Sequence, residues 1–167
     1  MSGDTAQLRL LKADIEADLV TVAALHGRLT GYDAEALEQA LLGEERRIAV
    51  AYYLHNLYCA YESIFQRIAE VFGNQVAERS GWHAGLLRRM ALDVPGMRPR
   101  LLSDQSWDNL DELRRFRHLF RSAYRLQLAG DRLALVLRRA HLLTQSYRSD
   151  FDGFLNFLDG MLSAAGE

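Results

Sequence analysis

Five arginines and a histidine crowd into the stretch from Arg114 to Arg125. At about 100° per residue of a helix, Leu110, Leu113, Phe116, Phe120 and Tyr124 form an apolar stripe. Arg114, Arg117, His118, Arg121 and Arg125 form a cationic stripe beside it. Like charges three and four residues apart repel by roughly 0.2–0.5 kcal/mol per exposed pair, so such a ridge calls for an anion: a nucleic-acid phosphate or a set of carboxylates. Asp108, Asp111 and Glu112 precede the arginines, and Asp111 stands at the spacing to reach Arg114 and Arg115, so part of the ridge can be a solvated, salt-bridged face. Arg117 is different. It projects close to Leu110, Leu113 and Tyr124, and a guanidinium at the edge of a core is costly unless paired.

Few other residues carry recognisable chemistry. There is no glycine-rich phosphate loop, no GxGxxG, HExxH or GxSxG, and no Glu-x-x-His pair of the kind that holds two irons in a helical bundle. No metal and no cofactor are therefore expected. The histidines His26, His55, His83, His118 and His141 are scattered, and by its sequence neighbours only His118 sits among charges. A single cysteine, Cys59, precludes an intrachain disulfide and a multi-cysteine zinc site, and suits a reducing compartment. With a net charge of −2, attraction for nucleic acid has to come from a local patch, because the field of the whole chain does not supply it.

These residues need a scaffold, and the pattern supplies one. The chain has 167 residues, 49% of them hydrophobic, and only two prolines, Pro95 and Pro99; that is one domain with one core and long stretches free to be helical. Leu8, Leu11, Ile15, Leu19, Val22 and Leu25 repeat at helical spacing from Asp4 to Gly27. Asp33 is a suitable N-cap for a short helix from Ala34 to Leu42. Glu44 to Phe72 runs without a breaker and is apolar around much of its circumference, as in a helix central to a bundle or shared with a second subunit. On it His55, Cys59 and Glu62 share a side. They are either satisfied locally or, in the case of Glu62, a counter-charge aimed at the arginine ridge. Ser80 to Asp93 reads as a short amphipathic helix and Val94 to Ser103 as a loop that packs down through Leu101 and Leu102. Gly130 and Asp131 read as a stop and a cap before one last helix from about Arg132 to Leu162. The spacing thus predicts an all-α, single-domain bundle of long antiparallel helices spanning residues 1–167. The N-terminus lacks a basic segment followed by a long apolar one, and no run is long enough to span a membrane, so a cytoplasmic protein is expected.

Three segments together resemble a known family. LDELRRFRHLFRSAY resembles the motif helix of HepT-like ribonuclease domains in the HEPN superfamily, AYYLHNLYCAYESIF their long central helix, and SGWHAGLLRRMALDVPGMRP their connecting helix and loop. The resemblance covers about Arg47 to Leu128. It implies a small helical domain that dimerises with its motif helices facing one another across a cleft, and a metal-independent endoribonuclease of the toxin type. It further implies an antitoxin partner, a minimal nucleotidyltransferase, which in some systems adenylylates the motif tyrosine, here Tyr124. The family signature is an Arg, a polar residue, three to five more residues and a His, often followed by x-Tyr. On this chain Arg117 takes the arginine position, His118 the polar position and Tyr124 the tyrosine. The histidine position holds Ser122.

By the resemblance, Arg117 and Arg121 bind the scissile RNA phosphate, with Arg114 and Arg125 extending the cationic surface, and a ribose 2′-hydroxyl attacks the phosphorus. That reaction needs a proton acceptor and a donor. His118 is the imidazole available on the motif helix, and Ser122, a hydroxyl of ordinary acidity, can bond a phosphate oxygen but cannot shuttle protons. Two other readings stand beside the enzyme. One is a catalytically degenerate HEPN module that binds RNA, a nucleotide or a nucleotidyltransferase without cutting. The other is a structural bundle whose ridge is neutralised by Glu62, Asp108 and Asp111. A dimer with its axis near the ridge brings like charges together, which requires an acid, with Glu62 expected, beside Arg117.

Overall fold

The apolar repeats become seven helices among the described residues, which in this computed structural model are 2–73, 81–122 and 129–165. They are α1 (Ser2–Leu29), α2 (Ala34–Glu38), α3 (Glu44–Val71), α4 (Trp82–Met90), α5 (Asp104–Ser122), α6 (Gly130–Leu143) and α7 (Tyr147–Ala164). The all-α bundle expected from the spacing is what the chain forms.

Helix α3 is the centre, packing against α1, α4, α5 and α6. Much of the circumference of its second half is buried: Leu54, Leu57, Tyr58, Tyr61, Glu62, Ile64, Phe65, Ile68 and Ala69 are enclosed, while Glu70 is exposed. The cross-links fix the directions. Arg67 on α3 binds Asp14 and Asp18 of α1, at 3.0 and 3.1 Å. Further along, His26 of α1 meets Tyr61 of α3 at 2.8 Å. Residue numbers fall on one helix as they rise on the other, so α1 and α3 are antiparallel. By the same argument α3 and α5 are antiparallel, because Glu62 faces Arg117 while His55 faces Phe120.

The approach to α5 is tied down by its own polar side chains. Ser103 Oγ accepts from the Ser106 amide at 3.3 Å in an N-cap arrangement, and the Ser103 amide donates to Asp150 of α7 at 3.1 Å. Before it, the 94–98 turn folds back through a Val94–Arg98 bridge with Gly96 at φ 75°. Arg98 is buried there and donates to the carbonyls of Arg89, Leu92 and Pro99. Leu101 and Leu102 are buried, as expected of a loop that packs down.

Several expected boundaries need correction. Helix α2 ends at Glu38 and not at Leu42, with Gln39 as its C-cap and Ala40 at φ 55°, and α1 runs through Gly27 to Leu29. The last helix is not continuous from 132 to 162: it breaks at Thr144–Ser146, where three successive amides bond three residues back, to His141, Leu142 and Leu143. The Thr144 hydroxyl donates to the His141 carbonyl at 2.6 Å, a local bond that competes with the helical ladder. Ser146 then turns inward to Ser106 at 2.7 Å. Nor is Gly130 a stop. It begins α6, and it is a glycine because the α2 backbone lies against it: a Cβ there would stand 2.3 Å from the Leu37 carbonyl oxygen.

Candidate active site

The cationic face of α5 meets α3 and α4 at one buried point. Arg117 lies on the core side of its helix, where the wheel puts it, and its side chain is 13% exposed. There its guanidinium meets groups from two other helices. Nη2 lies 3.3 Å from Glu62 Oε2, and Nε donates to Cys59 Sγ at 3.3 Å, both on α3. Nη1 lies 3.3 Å from Nε2 of His83, on α4. Glu62 is itself 5% exposed, so the pair is a buried one, formed at a cost in desolvation that only close partners offset.

His83 completes the cluster. Its Nδ1 lies 2.5 Å from Glu62 Oε1. A guanidinium only donates, so the contact with Arg117 requires a lone pair on Nε2; the ring proton then sits on Nδ1 and is donated to Glu62. Glu62 thus orients the imidazole and pairs with the arginine at once. Gly81, at φ 86°, makes the turn into α4, and Trp82 lies against His83 with ring centroids 3.9 Å apart. Sequence reasoning missed His83. Its neighbours along the chain are Trp82, Ala84 and Gly85, none of them charged, and both of its ionic partners come from other helices.

A cavity of about 500 Å³ opens on this cluster, lined by Gly81, Trp82, His83, Ala84, Arg114, Arg117 and His118. It brings together three residues of the cationic stripe, Arg114, Arg117 and His118, of which Arg117 and His118 are motif positions, and adds His83. Arg114 is held by Asp111 at 2.8 Å. Arg115 meets Asp111 at 2.8 Å and Glu112 at 3.6 Å. Part of the ridge is therefore neutralised within its own helix. Asp108 is exposed, as are His118 and Arg121. Ser122 ends α5, and its side chain, together with Tyr124 and Arg125, lies outside the described residues.

Beyond Arg117 the surface continues along α3. Cys59 Sγ is 3.6 Å from His55 Nε2, and the His55 ring lies 4.9 Å from that of Phe120. Burial, and then the positive charges of Arg117 and Arg121, push the His55 imidazole below its ordinary range. Tyr58 is fully buried on the same helix; burial, and after it the Glu62 carboxylate, raise its phenol. The arrangement joins a carboxylate, an oriented imidazole and a clamped guanidinium at the wall of a cation-lined cavity. Such a set can bind a phosphate and move a proton. Among the described residues, no group of three or more His, Cys, Asp and Glu is disposed to hold a metal ion. No helix there is long and apolar enough to cross a membrane.

A family model described as HepT-like protein matches residues 49–158, from α3 into α7. No curated protein and no solved structure matches the chain.

Proposed function

The chain belongs to the HepT-like protein family, and on that premise we propose that it is a metal-independent endoribonuclease of the toxin type whose cation-lined cavity receives an RNA phosphate. The observation that carries this reading is the setting of Arg117. It occupies the motif position, its three nitrogens are held by Glu62, His83 and Cys59, and it still lines the cavity beside Arg114 and His118. Each terminal nitrogen of a guanidinium carries two N–H groups, so Arg117 can present donors to a phosphate while Glu62 and Cys59 hold it in place. Preorganised donors of this kind stabilise the charge that develops on a phosphorane-like transition state. Arg114 and the exposed Arg121 extend the field, and His118 supplies an imidazole at the cavity wall.

In this reading residues 1–167 act as one domain, since α1 lies outside the family match yet packs along α3. RNA is the substrate, and a second copy of the chain is the partner across the cleft. Apolar side chains on the first turns of α3, Ile48 (53% exposed) and Tyr52 (56% exposed), continue the stripe that carries His55 and Cys59. Leu119 on α5 is 40% exposed. That half-apolar face beside the motif helix is where the second copy docks. A minimal nucleotidyltransferase acts as antitoxin, and the lone cysteine suits the cytoplasm.

Ser122 at the family's histidine position favours a second reading, a module that binds RNA without cutting it. Purified protein incubated with RNA in EDTA separates the two. Cleavage that Arg117→Ala abolishes supports the enzyme, whereas intact RNA bound with an affinity that falls steeply with salt supports the binder. Neither binding nor cleavage overturns both.

A further inference from the structure

The motif helix has no histidine at the family position, yet the cavity has a second imidazole, and it comes from another helix. We propose that His83 on α4, oriented by Glu62 on α3, is the general base of the RNA-cleaving reaction; this deepens the ribonuclease reading and rests on it. Glu62 Oε1 lies 2.5 Å from His83 Nδ1, which places the ring proton on that nitrogen and leaves the lone pair on Nε2. A carboxylate held against one ring nitrogen of an imidazole whose other nitrogen does the chemistry is a general arrangement for proton transfer. Nε2 faces Arg117 Nη1 at 3.3 Å, and His83 lines the same cavity as Arg114, Arg117 and His118. The groups facing the ring are therefore Glu62 of α3, Trp82 of α4 and Arg117 of α5, with Arg114 and His118 lining the same cavity.

Without substrate, His83 Nε2 accepts a hydrogen bond from Arg117. A phosphate that binds Arg117 is a stronger acceptor, being charged; it takes over that N–H and releases the lone pair beside the ribose on the 5′ side of the phosphate. His83 Nε2 then takes the 2′-hydroxyl proton while the 2′-oxygen bonds to phosphorus. The bond from phosphorus to the 5′-oxygen breaks, its electron pair stays on that oxygen, and His118 gives the oxygen a proton. The products are a 2′,3′-cyclic phosphate and a 5′-hydroxyl, and the imidazolium of His83 returns its proton to His118 through water. Atoms and charge balance with no added reactant. Glu62 touches neither substrate nor reacting atoms and is a positioning residue.

The experiment compares native protein with His83→Gln, His83→Ala and Glu62→Gln on one fluorescent RNA in EDTA. It reads cleavage rate against pH, RNA affinity, and unfolding to verify that each variant is folded. His83→Gln is expected to lower the rate by about 100-fold or more with RNA affinity retained, and added imidazole to restore part of the rate to His83→Ala. Glu62→Gln is expected to change the pH–rate profile, which a merely structural role would not do. Cleavage by folded His83→Gln at close to the native rate overturns the assignment of His83 and leaves the ribonuclease reading standing. A rate loss matched by loss of RNA affinity, without imidazole rescue, also overturns it. RNA left intact by the native protein overturns both.

Discussion

Arg117 has a partner on each guanidinium nitrogen, and two of those partners, Glu62 and His83, also touch each other. Removing Glu62 leaves the buried Arg117 guanidinium without its carboxylate, with only the neutral His83 and Cys59 against it. Glu62→Ala is accordingly expected to lower the unfolding free energy by about 3 kcal/mol, measured by urea denaturation. Arg117→Ala together with Glu62→Ala is expected to cost less than the two single changes added, because the double variant buries no orphan charge. At this scale half of the cluster was legible in the sequence. The helical wheel sets Arg117 against the core and Glu62 on the α3 side that carries Cys59 and His55, and the repulsion between two cationic ridges at a dimer axis calls for an acid beside that arginine. His83 was not legible. Periodicity reports which face of its own helix a residue occupies, and the partners of His83 lie at separations of 21 and 34 residues, which only the packing of α4 between α3 and α5 brings together.

Among the helices, two contacts fix how the bundle closes. Gly130 lets α6 approach α2 so closely that a methyl group at this position would overlap the Leu37 carbonyl. Gly130→Ala is expected to destabilise the fold by roughly 1–3 kcal/mol, read as a lowered denaturation midpoint. The other contact joins α1, α3 and α7. His26 bonds Tyr61 at 2.8 Å and stacks on Tyr147 at 4.8 Å, and burial holds its imidazole down to about 4, with Arg148 and His141 adding to the shift. The unfolded chain therefore takes up this proton first. As pH falls from about 6.5 towards 4, stability declines by up to about 3 kcal/mol from this residue alone, and the loss levels off once His26 is protonated in the folded state as well. Denaturation midpoints at pH 7.5 and 5 are expected to differ in the native protein and to differ by less in His26→Gln, where the part due to His26 is gone. The helices themselves were legible from their apolar repeats and few breakers. The α6–α7 break was not, because it depends on hydroxyls, Thr144 bonding its own helix and Ser146 reaching Ser106, whereas the apolar period runs on through both helices.

For the molecule as a whole, the core side of α3 is covered by four other helices, while Ile48 and Tyr52 on its first turns remain open to solvent. A second copy seated there would bring two Arg117–Glu62–His83 clusters to one cleft, with each glutamate offsetting its own arginine so that like charges do not oppose the axis. Sedimentation is expected to show a dimer at micromolar concentration, and Tyr52→Glu to shift it to monomer. The overall architecture followed from the sequence because helix length and amphipathicity are local properties; the cavity did not, since its walls come from α4 and α5, which are joined by the 91–103 loop. Metal-free cleavage of RNA in this cavity is read from the chemistry of the ends it leaves. A defined RNA incubated with native protein in EDTA is expected to yield 2′,3′-cyclic phosphate and 5′-hydroxyl ends, with no product from Arg117→Ala. RNA left intact by the native protein, or cleaved equally by Arg117→Ala, contradicts it.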